Sequence, residues 1–209
     1  MTTIALVRHG DNDFIAKRIA GRTPNVHLNF TGNQQAQELA QTLSTAPIEA
    51  IFSSPLERAI ETAQPLADLK GLPIQIETGI IEIDFGDYQG KTWEWLYQQP
   101  HWIQFDQSPA DIAFPNGESI AGVQQRAVTA IEKIAQDCRE LKAVALFTHG
   151  DIIRLAVAHY LRIPLNEYRR FIVHPASITL ISMETDKPRT MHLNYYPRLE
   201  WGGANGTTR

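Results

Sequence analysis

The chain is poor in the features that would assign it quickly. It has a single cysteine, Cys138, which excludes an intramolecular disulfide and fits a reducing compartment. No long hydrophobic run occurs. The first apolar stretch, Ile4 to Val7, stops at Arg8, far short of a signal peptide or a spanning helix, so a cytoplasmic protein with no membrane partner is expected. A basic excess is also missing: 19 Lys and Arg against 23 Asp and Glu give a net charge of -4, which speaks against nucleic acid as a partner. Any anion site must therefore be local.

Several chemistries are excluded by missing motifs. There is no Gly-x-x-x-x-Gly-Lys-Ser/Thr phosphate loop and no Gly-x-Ser-x-Gly elbow. Val144, not an arginine, stands six residues after Cys138, against a cysteine phosphatase. No two histidines lie four apart on a helix around a carboxylate, so neither a metal nor another cofactor is predicted.

What is present is an ordinary globular composition: 209 residues, 43% hydrophobic, read as one domain over residues 1–209. Ile4 to Val7, Ala50 to Phe52, Ile74 to Ile76 and Val144 to Phe147 read as strands, with Ser177 to Met183 and Met191 to Tyr195 following late. Between them, helical spacing appears at Ala36, Leu39, Ala40 and Leu43 after Thr31 as N-cap, and at Leu56, Ala59, Ile60 and Ala63 after Ser54-Pro55, with Pro65 expected to kink or end that helix. Further helices follow at Val123 to Ile134 and from Asp151 to Leu161. The alternation predicts a three-layer α/β/α sandwich with a mostly parallel central sheet. Residues 92–118 mix tryptophans, phenylalanines and prolines without a period, and are expected to form an insertion or lid that sets specificity. The Gly-rich tail, 202–209, is expected to be mobile.

The chemistry lies at strand ends. Leu6-Val7-Arg8-His9-Gly10 and Leu146-Phe147-Thr148-His149-Gly150 each deliver His-Gly at the carboxyl end of an apolar run, where α/β sheets bind ligands. Arg58, in the first turn of the helix after Phe52-Ser53-Ser54-Pro55, can reach back to the same crevice. Two guanidinium groups and a helix start make a phosphate pocket that needs no metal. Neighbouring cations would keep His9 neutral and nucleophilic, while His149 could carry positive charge beside a bound phosphate dianion. The turn Ile80-Ile81-Glu82-Ile83-Asp84-Phe85-Gly86 offers a carboxylic acid among apolar residues. Glu82 is the expected proton donor and Asp84 the reserve.

Arg8-His9-Gly10, Ser53-Ser54-Pro55-Leu56-Glu57-Arg58-Ala59, Glu82-Ile83-Asp84-Phe85-Gly86 and Thr148-His149-Gly150, in this order, resemble the motifs of the histidine phosphatase superfamily, the phosphoglycerate mutase-like proteins. Asn116-Gly117-Glu118-Ser119 and Ala176-Ser177-Ile178 fit the same pattern, and the resemblance spans residues 4 to about 183. It implies that His9 is phosphorylated, that Arg8, Arg58 and His149 hold the phosphoryl group, with Gly150 beside them, and that Glu82 is the proton donor. One position departs. Where the family often has a phosphate-holding asparagine, five residues beyond the first Gly, this chain has Ile15; Asn12 or Arg22 is expected to substitute. The segment from Ala20 to Leu28 also differs from the usual acidic-Pro-Leu version, and Arg22 there could contact a second anionic group.

The expected activity is metal-independent phosphomonoester hydrolysis on a small anionic metabolite. A phosphomutase is the alternative within the same chemistry, and a non-catalytic phosphate-ligand sensor the alternative outside it. His27, His101, His159, His174 and His192 are expected to be ordinary surface or core residues, and Trp93, Trp95 and Trp102 packing residues rather than a base-stacking platform. The sequence leaves room for a homodimer.

Overall fold

The computed structural model describes residues 2–183 and 187–196; the tail at 202–209 lies outside them. Six strands form one sheet: β1 (Thr2–Arg8), β2 (Ile48–Ser53), β3 (Ile74–Ile76), β4 (Ala143–Thr148), β5 (Ile178–Met183) and β6 (Arg189–Tyr195), in the spatial order β3-β2-β4-β1-β5-β6. The pairs β3/β2, β2/β4 and β4/β1 are parallel, whereas β5 and β6 are antiparallel. The central strands have no solvent face, which is why their sequences read as continuous apolar runs rather than alternation.

Alternate residues of the sheet feed two separate cores. Ile4, Leu6, Val144 and Leu146 pack on one face against α5 (Ile120–Asp137) and α6 (Gly150–Tyr160). Ala5, Val7, Ala145 and Phe147 pack on the other, against α1 (Phe30–Thr42) and α2 (Glu57–Lys70), whose helices touch each other. The layers are α/β/α, as expected. The chain after β1 leads to a helix on one face and the chain after β4 to a helix on the opposite face. The carboxyl ends of these neighbouring strands therefore border the crevice that such sheets use for ligands.

Two expectations about helix ends are corrected and a third is narrowed. Asn29, not Thr31, caps α1, its side chain accepting from Gly32 N at 2.8 Å. Ser54 and Pro55 do not open α2, which starts at Glu57; Ser54 turns instead toward His149. Of the two outcomes expected at Pro65, a kink or an end, the end is excluded, because α2 continues to Lys70 and closes at Gly71. A proline costs a helix one backbone hydrogen bond, and here the buried Ala63, Leu66 and Ala67 on either side of it hold the helix against β2 and β4.

The aperiodic stretch 92–118 becomes α3 (Trp93–Leu96), α4 (Pro100–Gln107) and a short 3-10 turn. Its period is lost because the prolines cut it into pieces too short to show one. Trp102, buried, is its hub: its ring lies 4.9 Å from Phe105, 5.9 Å from Trp93 and 6.5 Å from Phe85 between centroids. The aromatic group is continuous with the α5/α6 core. Phe85 enters it from the Glu82-to-Gly86 turn, where Gly86 has φ 52° and a Cβ would fall 1.9 Å from the Pro115 carbonyl. Only glycine satisfies both constraints.

The capping assignment is directly measurable. Asn29→Ala should destabilise the protein by about 1 kcal/mol in urea unfolding, and Thr31→Ala by less than about half of that.

Candidate active site

Because β1 and β4 pair in parallel with Arg8 opposite Thr148, the next residue of each, His9 and His149, leaves the sheet beside the other. Their ring centroids are 5.2 Å apart, and His9 N donates to Thr148 O at 2.9 Å. Both are buried. His9 Nδ1 lies 2.7 Å from the carbonyl of its neighbour Gly10. A carbonyl can only accept, so Nδ1 carries the hydrogen and Nε2 keeps the lone pair. Arg58 Nε–H meets that lone pair at 3.3 Å. One side of the imidazole is thus fixed by backbone and the other is directed at a guanidinium.

Arg58 is buried in the first turn of α2. Its NH2 donates to Gly21 O at 2.8 Å and approaches His149 Nδ1 at 3.3 Å, while His149 Nε2 faces Ser54 Oγ at 2.7 Å. In neutral His149 the hydrogen is therefore on Nε2. Arg8 is anchored by NH1 donating to Val173 O at 2.5 Å. Gly150 opens α6, and a Cβ there would approach Arg8 Nε to 3.2 Å, so the absent side chain lets the guanidinium lie over the helix start with its unpaired N–H groups.

A cavity of about 130 Å³ is lined by Arg8, His9, Asn12, Arg58, Glu82 and Gly150, among others. Three buried N–H atoms on these residues have no protein partner among the described residues: Arg8 Nε, Arg58 NH1 and Asn12 Nδ2. An unmet buried donor costs roughly 1–3 kcal/mol, more when charged. Three around one cavity describe a site built for an oxyanion.

Of the two expected substitutes for the missing asparagine, only Asn12 comes to the cavity. Its Oδ1 accepts from Phe14 N at 3.0 Å and Ile15 N at 3.2 Å, which fixes the amide and leaves Nδ2 as the unmet donor. Arg22 is not brought there. Its Nε donates to Glu82 O at 3.0 Å, its NH2 to Glu118 Oε2 at 2.9 Å, and its NH1 lies 3.7 Å from Asp84. Its charge is consumed in holding the acid-bearing turn. Asp84, the reserve acid, is spent likewise, accepting from Gly86 N at 2.9 Å.

Glu82 lines the cavity, with Oε1 accepting from Ile83 N at 2.9 Å and Oε2 3.9 Å from His149 Nδ1. Burial, and then the charge of Asp151, push its pKa up to about 7, against the opposing pull of Arg58 and Arg8. His9 is held well below the ordinary imidazole value by burial and then by Arg58 and Arg8; His149 is lowered by burial, Arg58 and His9. Burial and the nearby Arg154 bring Arg8 down to about 10, still a cation at neutral pH. The resting site has neutral imidazoles, charged arginines and a carboxyl near half-protonation.

Other contributors were not expected at the site, although Glu118 lies in one of the motifs noted in the sequence. Arg126 binds the carbonyls of Gly79 and Ile81 at 2.8 Å each and that of Glu82 at 3.1 Å, while Glu118 accepts from Arg126, Arg22 and Asp84 N. Thr62 accepts from Gly10 N at 2.9 Å and donates to Arg58 O, tying both sides of the pocket. Asp151, at the start of α6, lines the cavity and biases Glu82 toward its protonated form. Among the described residues no cluster of three or more His, Cys, Asp or Glu could hold a metal ion, and no helix is long and apolar enough to cross a membrane.

Known proteins resemble this chain in sequence and fold. The family model of the histidine phosphatase superfamily (branch 1) matches residues 4–195. Phosphoserine phosphatase 1 of Hydrogenobacter thermophilus is 29% identical over 202 residues, covering 93% of this chain and 92% of that protein. A metal-independent phosphoserine phosphatase of Arabidopsis thaliana is 35% identical over 170 residues, 78% of this chain and 69% of that one. Among solved structures, Bacillus stearothermophilus YhfR superposes with a TM-score of 0.87 at 29% identity, over 93% of this chain and 97% of that one. The chain belongs to the histidine phosphatase superfamily. Within it, the protein is a phosphomonoesterase.

The raised carboxyl has a consequence for stability. Folded Glu82 binds its proton more tightly than the unfolded chain does, so the native state loses stability as pH rises from the ordinary value of 4.5 through about 7. Thermal melts of Glu82→Gln should show a smaller loss across that interval than the parent. In a carboxyl-carbon NMR titration, Asp151→Asn should lower the midpoint of Glu82.

Proposed function

We propose that His9 Nε2 attacks the phosphorus of a small phosphomonoester, so that the P–N bond forms as the P–O bond to the alcohol breaks. Glu82 gives its proton to the departing oxygen. The ionised Glu82 then takes a proton from water as that water attacks the phosphohistidine, which releases inorganic phosphate and restores His9 and Glu82. Arg8, Arg58 and the Asn12 amide bind the equatorial oxygens, supplying the charge stabilisation on which phosphoryl transfer mainly depends. A phosphate dianion offsets the arginine charges and allows His149 to take up a proton and donate from Nδ1.

The observation that carries this reading is the presence of three unmet buried donors on Arg8, Arg58 and Asn12, all of which line the cavity that His9 and Glu82 also line. Hydrolysis is favoured over transfer back to substrate because this cavity adjoins a second one of about 380 Å³ that shares four lining residues with it, a path for water. A single half-buried thiol at Cys138 supports a reducing, cytoplasmic setting.

Phosphate release from a panel of phosphomonoesters, measured in chelator with isomers monitored, tests the reading. His9→Ala should release no phosphate, and parental release by that variant would overturn the mechanism; isomerisation outrunning release would make the protein a mutase. Arg58→Ala should lower kcat about 10²–10³-fold, as loss of one preorganised donor does. The alkaline fall of kcat/KM should centre near pH 7, where Glu82 loses its proton. Glu82→Gln should slow alkyl phosphates about 10²–10⁴-fold, yet still give a burst of nitrophenolate from nitrophenyl phosphate, whose leaving group needs no proton.

A further inference from the structure

Arg58 sits between the two imidazoles and points a donor at each, Nε at His9 Nε2 and NH2 at His149 Nδ1, both at 3.3 Å. A guanidinium can only donate, so these ring atoms are acceptors. The neutral rings then carry their hydrogens on the far nitrogens, Nδ1 of His9 and Nε2 of His149. The far nitrogens meet different oxygens. His9 Nδ1 faces the backbone carbonyl of Gly10, whereas His149 Nε2 faces a side chain, the hydroxyl of Ser54, at 2.7 Å.

Ser54 is completely buried and has no part in the phosphoryl chemistry described above. Its backbone is fixed just past the end of β2, where Ser54 N donates to Phe147 O of β4 at 2.9 Å, two residues before His149. Leu56 N donates weakly to Ser54 Oγ at 3.4 Å. A hydroxyl oxygen has two lone pairs, so one remains for the imidazole. The serine is thus preset as an acceptor for Nε2–H.

This bond matters most when His149 is charged. Burial, and then Arg58, His9, Arg8 and Arg126, all oppose an imidazolium at that place. Two groups favour it: Glu82, whose Oε2 lies 3.9 Å from Nδ1, and Ser54 on the opposite nitrogen. A protonated Glu82, the form that donates to the leaving oxygen, carries no charge, and the support then rests on Ser54. Resting on the phosphohydrolase reading, we propose that Ser54 is a positioning residue acting through His149. Its Oγ holds Nε2–H, so that Nδ1 is presented to Arg58, Glu82 and the bound phosphoryl group. As the phosphate dianion binds, Nδ1 takes up a proton from solvent, and it returns that proton when phosphate leaves. A hydrogen bond from a charged donor is roughly twice as strong as one from a neutral donor, so the hydroxyl favours the charged ring over the neutral one.

Nitrogen-15 NMR of histidine-labelled protein, titrated with pH in the absence and presence of saturating inorganic phosphate, tests this; the His149 signals are those missing from His149→Asn. Free parent protein should show the Nε2–H tautomer at His149, and phosphate should strengthen the hold of that ring on a second proton. Ser54→Ala should weaken the proton affinity of phosphate-bound His149 about tenfold, the difference between a charge-assisted and a neutral bond, and lower kcat by up to about the same factor. Ser54→Thr, which keeps the hydroxyl, should restore both. If Ser54→Thr fails to fold, Ser54→Cys, a weaker acceptor, should fall between the parent and Ser54→Ala. An unchanged His149 titration in folded Ser54→Ala overturns the proposal whatever happens to kcat, because a loss of rate without it reports packing alone. If phosphate leaves the parent His149 signals unmoved, the proposal falls together with the part given to His149. A parent that shows the shift but releases no phosphate from any ester loses the hydrolytic reading and keeps the role of Ser54.

Discussion

The parallel pairing of β1 with β4, in the register that sets Arg8 opposite Thr148, governs the rest of the site. It places two imidazoles at adjacent strand ends, and the helices that follow these strands lie on opposite faces of the sheet. A shift of one residue would turn every side chain of a strand to the other core, exchanging Leu6 with Val7 and carrying His9 away from the crevice. The doubly buried apolar runs that stabilise the sheet therefore also fix the chemistry at its edge.

Burial on that scale is electrostatically expensive, and the site meets the cost in different ways for different groups. The two histidines remain neutral, and Glu82 is held near half-protonation. Arg58 and Arg8 cannot readily lose a proton; they are bonded to backbone carbonyls and keep one N–H each for a ligand. Beneath the acid-bearing turn, Arg126, Arg22 and Glu118 bind three carbonyls and a backbone N–H. That network explains why Arg22 is a support rather than a ligand group. It holds the backbone of Glu82, so the carboxyl can be aimed without itself being paired to an arginine at contact distance.

Periodicity and motif order made the sheet, its helices and the groups His9, His149, Arg58 and Glu82 legible, because each sits at a strand end or helix start that apolar runs and Gly or Pro reveal. Arg8 was legible as the first charge after a buried strand. Less visible were features whose cause is distant in sequence. Asn29 displaced Thr31 as a cap because loop geometry, not residue type, decides which side chain meets Gly32 N. Pro65 stayed inside a helix because packing on both sides outweighs one missing hydrogen bond. The aromatic segment gave composition without period, and its bond from Asp106 to Arg169 joins residues 63 apart.

By itself the sequence determined which residues the proposed chemistry rests on: histidines at two strand ends, arginines beside them, and a carboxylic acid in an apolar turn, since each is written in residue type at a predictable strand or helix boundary. Only the tertiary structure decided that Asn12 and not Arg22 lines the pocket, that Asp151 stands where its charge raises the Glu82 pKa, and that Arg154 and Arg169 line both that pocket and a second cavity. Those roles follow from where a guanidinium or amide finds its partners. Partner choice is a matter of distance in space, which spacing along the chain does not encode.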